Sequence, residues 1–256
     1  MKTILLAGAA GKMGQAIQRL IVEHDDWQLS AVLLHHPSTQ SAFPAETKIF
    51  YKLDEIQGDY DLWLDVTRPE TVFQNASWAI SHHIHPIIGT SGLTDDQIQT
   101  LQQAALKAKT GGIIAPNFSI SAVLMMYFAS LAAKFMSNVG IEEIHHPDKV
   151  DAPSGTAKMT AAILAQAGAA TTKPDDSRLD DQSQSNLVDG IQIISKRQAG
   201  YVAYQSVNFA NEYETLSIAQ NSLDRKSFMP GVQLAIKNAD QQTTLLVGLD
   251  KIMGLK

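Results

Sequence analysis

The chain has 256 residues, 45% of them hydrophobic and 18% charged, with a formal net charge of −6 and no cysteine. That is the composition of a globular chain long enough for two modest domains, and it excludes disulfides, thiolate metal sites and a cysteine nucleophile. No apolar run reaches the roughly 18 residues of a membrane span, and the negative charge argues against nucleic acid as the main partner.

Thr3 to Ala7 reads as a short buried strand rather than a signal peptide, so a cytoplasmic location is expected. Gly8-Ala9-Ala10-Gly11-Lys12-Met13-Gly14 follows and leads into a helical pattern over Gln15 to Glu23. A glycine turn between strand and helix lets the backbone approach a pyrophosphate, whose charge meets the helix N-terminus. The spacing is G-x-x-G-x-x-G rather than the commoner G-x-G-x-x-G, and its place after the first strand gives it weight. Gln28 to Leu34 is the second strand. An NAD-type site carries an acid about twenty positions past the glycines, where this chain has Leu34-His35-His36. Lys12 with His35 or His36 could attract a 2′-phosphate, which favours NADPH and leaves NADH as the alternative.

Asp61 to Val66 reads as a strand ending in Thr67-Arg68-Pro69-Glu70, with Pro69 and Glu70 suited to the first turn of a helix that runs to about Ser81. His82, His83 and His85 sit where that helix ends, a position that favours cations, and no metal site is assigned to them. Pro86 to Ile88 and Gly112 to Ala115 are two further strands, leading into Gly89-Thr90-Ser91-Gly92 and Pro116-Asn117-Phe118-Ser119. Between them Thr94 caps a helix, with Gln97 in the capping-box position. Five strand–helix alternations imply a doubly wound parallel sheet, with the loops 8–14, 34–36, 66–69, 89–92 and 115–118 around one cleft at its C-terminal edge.

Ser121 to Ser137 is a long apolar helix, and Gly140 to Ile144 a strand that delivers His145. The stretch from Ile144 to Ala157 then gathers two imidazoles, Lys149 and a Ser154-Gly155-Thr156 turn that opens another helix. Helix-terminal N–H groups and an ammonium suit a small carboxylate, and a histidine suits proton transfer. Thr171 to Gln184 reads as a polar loop. Gly190 to Arg197, Tyr201 to Ala210 and Glu214 to Gln220 alternate as three strands of an antiparallel or mixed sheet. A last helix starts at Pro230-Gly231 and runs to about Asn238, and Thr243 to Gly248 is a further strand or helix end.

On these motifs the chain resembles the dihydrodipicolinate reductases. The likeness runs through Gly8 to Gly14, Asp65 to Glu70, Gly89 to Gly92, Ala115 to Ser119, His145 to Ala157 and Asp224 to Val232. The string His-His-x-x-Lys-x-Asp-Ala-Pro-Ser-Gly-Thr-Ala is its most specific part. The resemblance implies an α/β fold: a Rossmann-like doubly wound parallel sheet over 1–117 with 231–256, and a smaller α+β domain with a mixed or antiparallel sheet over 118–230. It implies an NAD(P)H-dependent oxidoreductase of lysine and diaminopimelate biosynthesis, in which His145 donates a proton and Lys149 assists and holds a dicarboxylate. His146, Ser91, Ser154, Gly155 and Thr156 would contact that substrate. Gly8, Ala9, Ala10, Gly11, Lys12, Met13, His35, Thr67, Arg68, Gly89, Thr90, Ser91, Ala115, Pro116, Asn117 and Phe118 would hold the cofactor. The family assembles as homotetramers through the second domain's sheet. This chain departs from the family pattern at Pro147-Asp148, at Ser121-Ala122 and at Ser91.

Two competing readings share the fold: a non-catalytic sensor of dinucleotide or dicarboxylate, and a dehydrogenase for another small acid. The proton donor His145 disfavours the first, and the intact Ala152 to Thr156 disfavours the second.

Overall fold

The structure is a computed structural model that describes residues 1–36, 43–174, 179–180 and 183–255. The chain divides into two units, 1–118 with 228–256 and 119–227.

The first unit is built on a parallel sheet. Its strands are β1 (Lys2–Ala7), β2 (Trp27–Leu33), β3 (Lys48–Phe50), β4 (Leu62–Asp65), β5 (His85–Ile88), β6 (Gly112–Ile114) and β12 (Leu245–Val247). All pair in parallel in the order β12-β6-β5-β4-β1-β2-β3. The inner strands β1, β4, β5 and β6 are apolar and buried, while the edge strand β3 is mostly exposed. The order reverses at β1, so the strand C-termini of β1 and β4 flank the crevice where ligands of such sheets bind. Helices α1 (Lys12–Val22), α2 (Pro69–Ser81), α3 (Asp95–Ala108) and α6 (Met229–Asn238) belong to this unit. Val72, Ala76 and Ile80 recur on one face of α2 and pack with Leu101 and Ala105 of α3 over Ile88, Ile114 and Leu245. The expected capping box of α3 is present, Thr94 and Gln97 each bonding the other's backbone. Gly231 lets α6 sit on the Phe118 carbonyl, which a Cβ there would approach to 2.0 Å.

The sheet has seven strands where the alternation suggested five. Thr243 to Gly248 resolves as strand β12, and β3 was not foreseen because three residues are too short to show a period.

In the second unit, β7 (Val139–His145) is the middle strand of a five-stranded mixed sheet, in the order β11-β10-β7-β9-β8. Its partners are β8 (Ser183–Val188), β9 (Ile191–Arg197), β10 (Ala203–Ala210) and β11 (Thr215–Ser222). Helices α4 (Ile120–Ala133) and α5 (Gly155–Gln166) pack against this sheet. The polar stretch expected as a loop over Thr171 to Gln184 ends earlier than that, because Ser183 and Gln184 begin β8; residues 175–178 and 181–182 of it lie outside the described residues. Among the described residues β8 pairs only with β9, and its polar sequence reflects an edge strand with much of its surface in water.

Candidate functional site

In the first unit a cavity of about 1690 Å³ opens at the C-terminal ends of β1, β2 and β4. A single drug-sized ligand fills roughly 300–1,000 Å³, so this volume suits an extended ligand. Gly8, Ala10 and Gly11 line it, followed by Leu34, His35 and His36, then Val66, Thr67 and Arg68. Glycine is required at two positions of the first loop. Gly8 has φ +84°, and a Cβ there would lie 2.5 Å from the Val66 carbonyl oxygen. At Gly14 a Cβ would lie 2.3 Å from the Gly8 carbonyl oxygen and 2.7 Å from the Ala9 Cα, so α1 presses directly on the turn. Gly11 caps α1 with no side-chain bond, leaving the first-turn amides to an anion.

Not every expected residue lines this cavity. Lys12 is exposed and Met13 half-buried at the start of α1, and neither is on the wall. The loops at Gly89-Thr90-Ser91 and Ala115-Pro116-Asn117-Phe118 do not line this cavity; they follow β5 and β6 at the same C-terminal edge of the sheet. These two loops instead pack on each other, since a Cβ at Gly89 would lie 2.3 Å from the Phe118 ring. Ser91 and Pro116 are exposed, while Ala9, Ala115 and Phe118 are buried, so Ala9 and Ala115 present almost no surface to a ligand.

Behind the cavity lies a fully buried carboxylate, Asp65, at the end of β4. One oxygen accepts from the Thr67 N–H at 3.1 Å, the Thr67 hydroxyl at 2.6 Å and the Thr90 hydroxyl at 2.7 Å. The other accepts from Asn75 Nδ2 at 2.9 Å and Trp63 Nε1 at 3.3 Å. The hydroxyls of Thr67 and Thr90 therefore point inward and fix the two loops. The cavity wall also includes Tyr51, Lys52 and Asp54, which sequence reasoning missed. They follow the short strand β3, so no periodic pattern marked them.

The second unit holds the His145–Thr156 segment. His145 ends β7, and Glu143 shares its face because strand side chains alternate. Glu143 is fully buried, and its Oε2 ion-pairs with His145 Nδ1. With Nδ1 engaged and the ring largely covered, Nε2 is the nitrogen left to serve a substrate. Burial alone would raise the Glu143 carboxyl. The hydrogen bond and charge of His145, the Ser195 hydroxyl and the Arg197 guanidinium outweigh that and hold it below the usual carboxylate range.

His146 is exposed and heads a turn closed by the Lys149 N–H on its carbonyl at 3.0 Å. Pro147 and Asp148 occupy the two central positions. Proline suits the first of these, and Asp148 lies 3.3 Å from the His146 ring nitrogen. Pro147-Asp148 thus builds the turn that carries Lys149. Lys149 Nζ in turn lies 2.8 and 3.0 Å from the two Asp151 carboxylate oxygens. Burial pushes the Asp151 carboxyl up, but the bond and charge of Lys149 and the nearby Arg197 bring it below its ordinary value.

Ser154 differs from expectation. It is buried, its hydroxyl accepts from the Ala157 N–H at 3.2 Å as the cap of α5, and its own N–H donates to Glu143 at 3.3 Å. Its polar atoms face the protein, so Ser154 shapes the helix start and is not a ligand contact. Gly155 is exposed, with nothing within 4 Å of where a Cβ would sit, and with Thr156 it opens the helix N-terminus to an anion. Glu143 and Arg197 were not foreseen in this site. The Glu-x-His spacing on a strand could have revealed the first; no local signal marks the second.

Two family models match the chain: dihydrodipicolinate reductase, N-terminus, over residues 2–118, and dihydrodipicolinate reductase, C-terminus, over residues 121–253. A 4-hydroxy-tetrahydrodipicolinate reductase of Lactobacillus acidophilus is 44% identical over 98% of both chains. One of Limosilactobacillus fermentum is 40% identical over 99% of this chain and 100% of its own. Among solved structures, a dipicolinate-bound dihydrodipicolinate reductase from Paenisporosarcina sp. TG-14 superposes with a TM-score of 0.85 and 36% identity, covering 98% of this chain and 99% of that one.

Proposed function

The chain belongs to the dihydrodipicolinate reductase family, and from that premise we propose that it reduces 4-hydroxy-tetrahydrodipicolinate to tetrahydrodipicolinate in lysine and diaminopimelate biosynthesis. The observation that carries this reading is the intact His145–Thr156 segment on a chain matched by both family models. The overall balance is one hydride and one proton in, and the hydroxyl out as water. A nicotinamide cofactor supplies the hydride when bound, and the Gly8–Gly11 turn and the wall at Thr67 and Arg68 fit such a group. His145 Nε2 supplies the proton. Lys149 and the α5 N-terminus at Gly155 and Thr156 hold the substrate carboxylates, and His146 flanks them. Nothing favours a non-catalytic sensor, which would have no task for an acid-held His145.

The test is a coupled assay in which the product of the preceding enzyme and reduced cofactor are supplied and nicotinamide absorbance is followed. Loss of absorbance that requires both protein and substrate is the expected result; none would overturn the reading. Lys149→Ala is expected to raise the substrate KM and to lower kcat, each by about tenfold or more, since it removes both an anchor and a charge. An effect confined to cofactor binding would contradict the assignment.

We assign cofactor binding to the first unit and substrate binding to the second. For the cofactor we favour NADPH. No acid stands at the end of β2, and His35, His36 and Lys52 bring cationic or hydrogen-bonding groups to the wall, with Asp54 as the one opposing charge in that stretch. A higher kcat/KM with NADPH than with NADH is the expected measurement, and a clear NADH preference would set this aside.

A homotetramer through the second unit's sheet fits its exposed apolar side chains. Leu187 on β8 is 70% exposed and Leu216 on β11 39%. Light scattering should give the mass of four chains. Among the described residues no helix is long and apolar enough to cross a membrane, and the cytoplasm is the compartment proposed for this biosynthetic step.

A further inference from the structure

A fully buried carboxylate is costly unless donors surround it. Glu143 is met by polar groups from β7, from β9 and from the start of α5, and of these Arg197 and Ser195 on β9 lie outside the His145–Ala157 motif. Its Oε1 accepts from Arg197 Nη1 at 3.2 Å and from the Ser154 N–H at 3.3 Å, and its Oε2 meets His145 Nδ1. The strand pairing explains the convergence. β7 and β9 run parallel with His145 beside Arg197 and Glu143 beside Ser195, so the guanidinium reaches back along the strand by one pleat.

Arg197 is also committed elsewhere. Its Nε donates to the Lys149 carbonyl at 3.0 Å, its Nη2 to the Asp151 carbonyl, and its Nη1 to the Lys196 carbonyl at 2.7 Å. One planar fork thus joins the acid behind His145 to the loop that carries Lys149. A lysine could not make this set of bonds, because its single ammonium lacks the fixed geometry.

We propose that Glu143 and Arg197 are positioning residues for the reduction: Glu143 holds His145 with its proton on Nδ1, so that Nε2 faces the substrate, and Arg197 ties that acid to the Lys149 loop. The inference rests on the reading of His145 as proton donor. In the proton step Nε2 gives up its proton and the ring becomes neutral. Nδ1 keeps its own proton on Glu143, which stays a carboxylate throughout. The Arg197 guanidinium and the Ser154 N–H can only donate to Oε1, and an ionised carboxylate can only accept, so His145 Nδ1 must be the donor to Oε2. Glu143→Gln must turn an NH2 toward either Arg197 and Ser154 or the Nδ1–H of His145. Either arrangement breaks a contact or reverses the tautomer.

The experiment combines kinetics with nitrogen-15 spectra of histidine-labelled protein, in which His145→Ala identifies the His145 signals. In the wild type at alkaline pH the neutral His145 ring should carry its proton on Nδ1, and this needs no variant to fold. A ring protonated on Nε2 would overturn the inference. Glu143→Gln should lower kcat by about 10²-fold, as expected for a misoriented general acid, with that Nδ1–H signature lost and cofactor affinity kept. Arg197→Lys should retain the His145 signature and raise the substrate KM, because the acid stays paired while the Lys149 loop is released. If His145→Ala abolishes turnover while Glu143→Gln has wild-type kcat and an unchanged tautomer, the positioning role fails and the proton-donor reading stands. If His145→Ala turns over normally, the proton-donor reading itself has failed.

Discussion

His145→Ala is expected to lower kcat by about 10²–10⁴-fold, the range lost when a positioned general acid is removed, with cofactor affinity nearly unchanged. This follows from the proposed division of labour between the units. The cavity assigned to the cofactor lies in the first, at the ends of β1, β2 and β4, whereas His145 ends the central strand of the second unit's sheet. Alanine removes the ring without disturbing the β7 ladder, because its neighbours on β9 and β10 pair through backbone. It does leave Glu143 with one donor fewer, so the measurement pairs steady-state kinetics with an unfolding curve. A variant that folds, binds cofactor and no longer turns over is the expected outcome. Turnover near the wild-type rate would remove His145 from the mechanism.

The second large effect belongs to stability. Asp65→Ala should cost about 3 kcal/mol or more, since it strands several buried donors and each unsatisfied one costs about 1–3 kcal/mol. Five donors from Trp63, Thr67, Asn75 and Thr90 converge on this one side chain, and alanine offers none of them an acceptor. Some of those groups can recruit water once the carboxylate is gone, which keeps the loss below the sum of five separate penalties. Urea denaturation of the wild type, Asp65→Ala and Asp65→Asn tests this. Asparagine keeps one acceptor oxygen and should fall between the other two. The alanine variant should also bind dinucleotide more weakly, since the loops at Thr67 and Thr90 lose their common anchor. A loss below about 1 kcal/mol, typical of a surface change, would show that Asp65 does not organise these loops.

Much of this was legible in the residues. The glycine turn after the first strand, the capping box at Thr94 and Gln97, and the proline start of α2 each depend on a local rule, and each is where the rule puts it. The His145–Thr156 segment was legible as a cluster, but the roles within it were not. Whether Ser154 faces a ligand or the protein depends on Glu143, eleven residues earlier, and nothing local in the sequence states that contact. Arg197 is harder still. It reaches Lys149 and Asp151 only because β9 lies parallel beside β7, a pairing fixed by the tertiary fold. Lys52 and Asp54 escaped for the opposite reason: they follow a three-residue strand with too little pattern to register. Short elements and long-range side-chain bonds are the two things that periodicity cannot report.

The pairing of β12 with β6 has a consequence for how the chain reaches its folded state. The first unit is completed by residues 228–256, which return after the whole of 119–227 has been made. Until they arrive, the Gly112-Ile113-Ile114 strand has one open side, a short apolar edge of the kind that recruits other chains. Closing that edge joins positions more than 130 residues apart, a contact of high order and a slow one. The second unit is continuous in sequence and can assemble while the ribosome is still at work. The expected order is therefore inverted relative to the chain: the later segment folds first, and the dinucleotide sheet is sealed last.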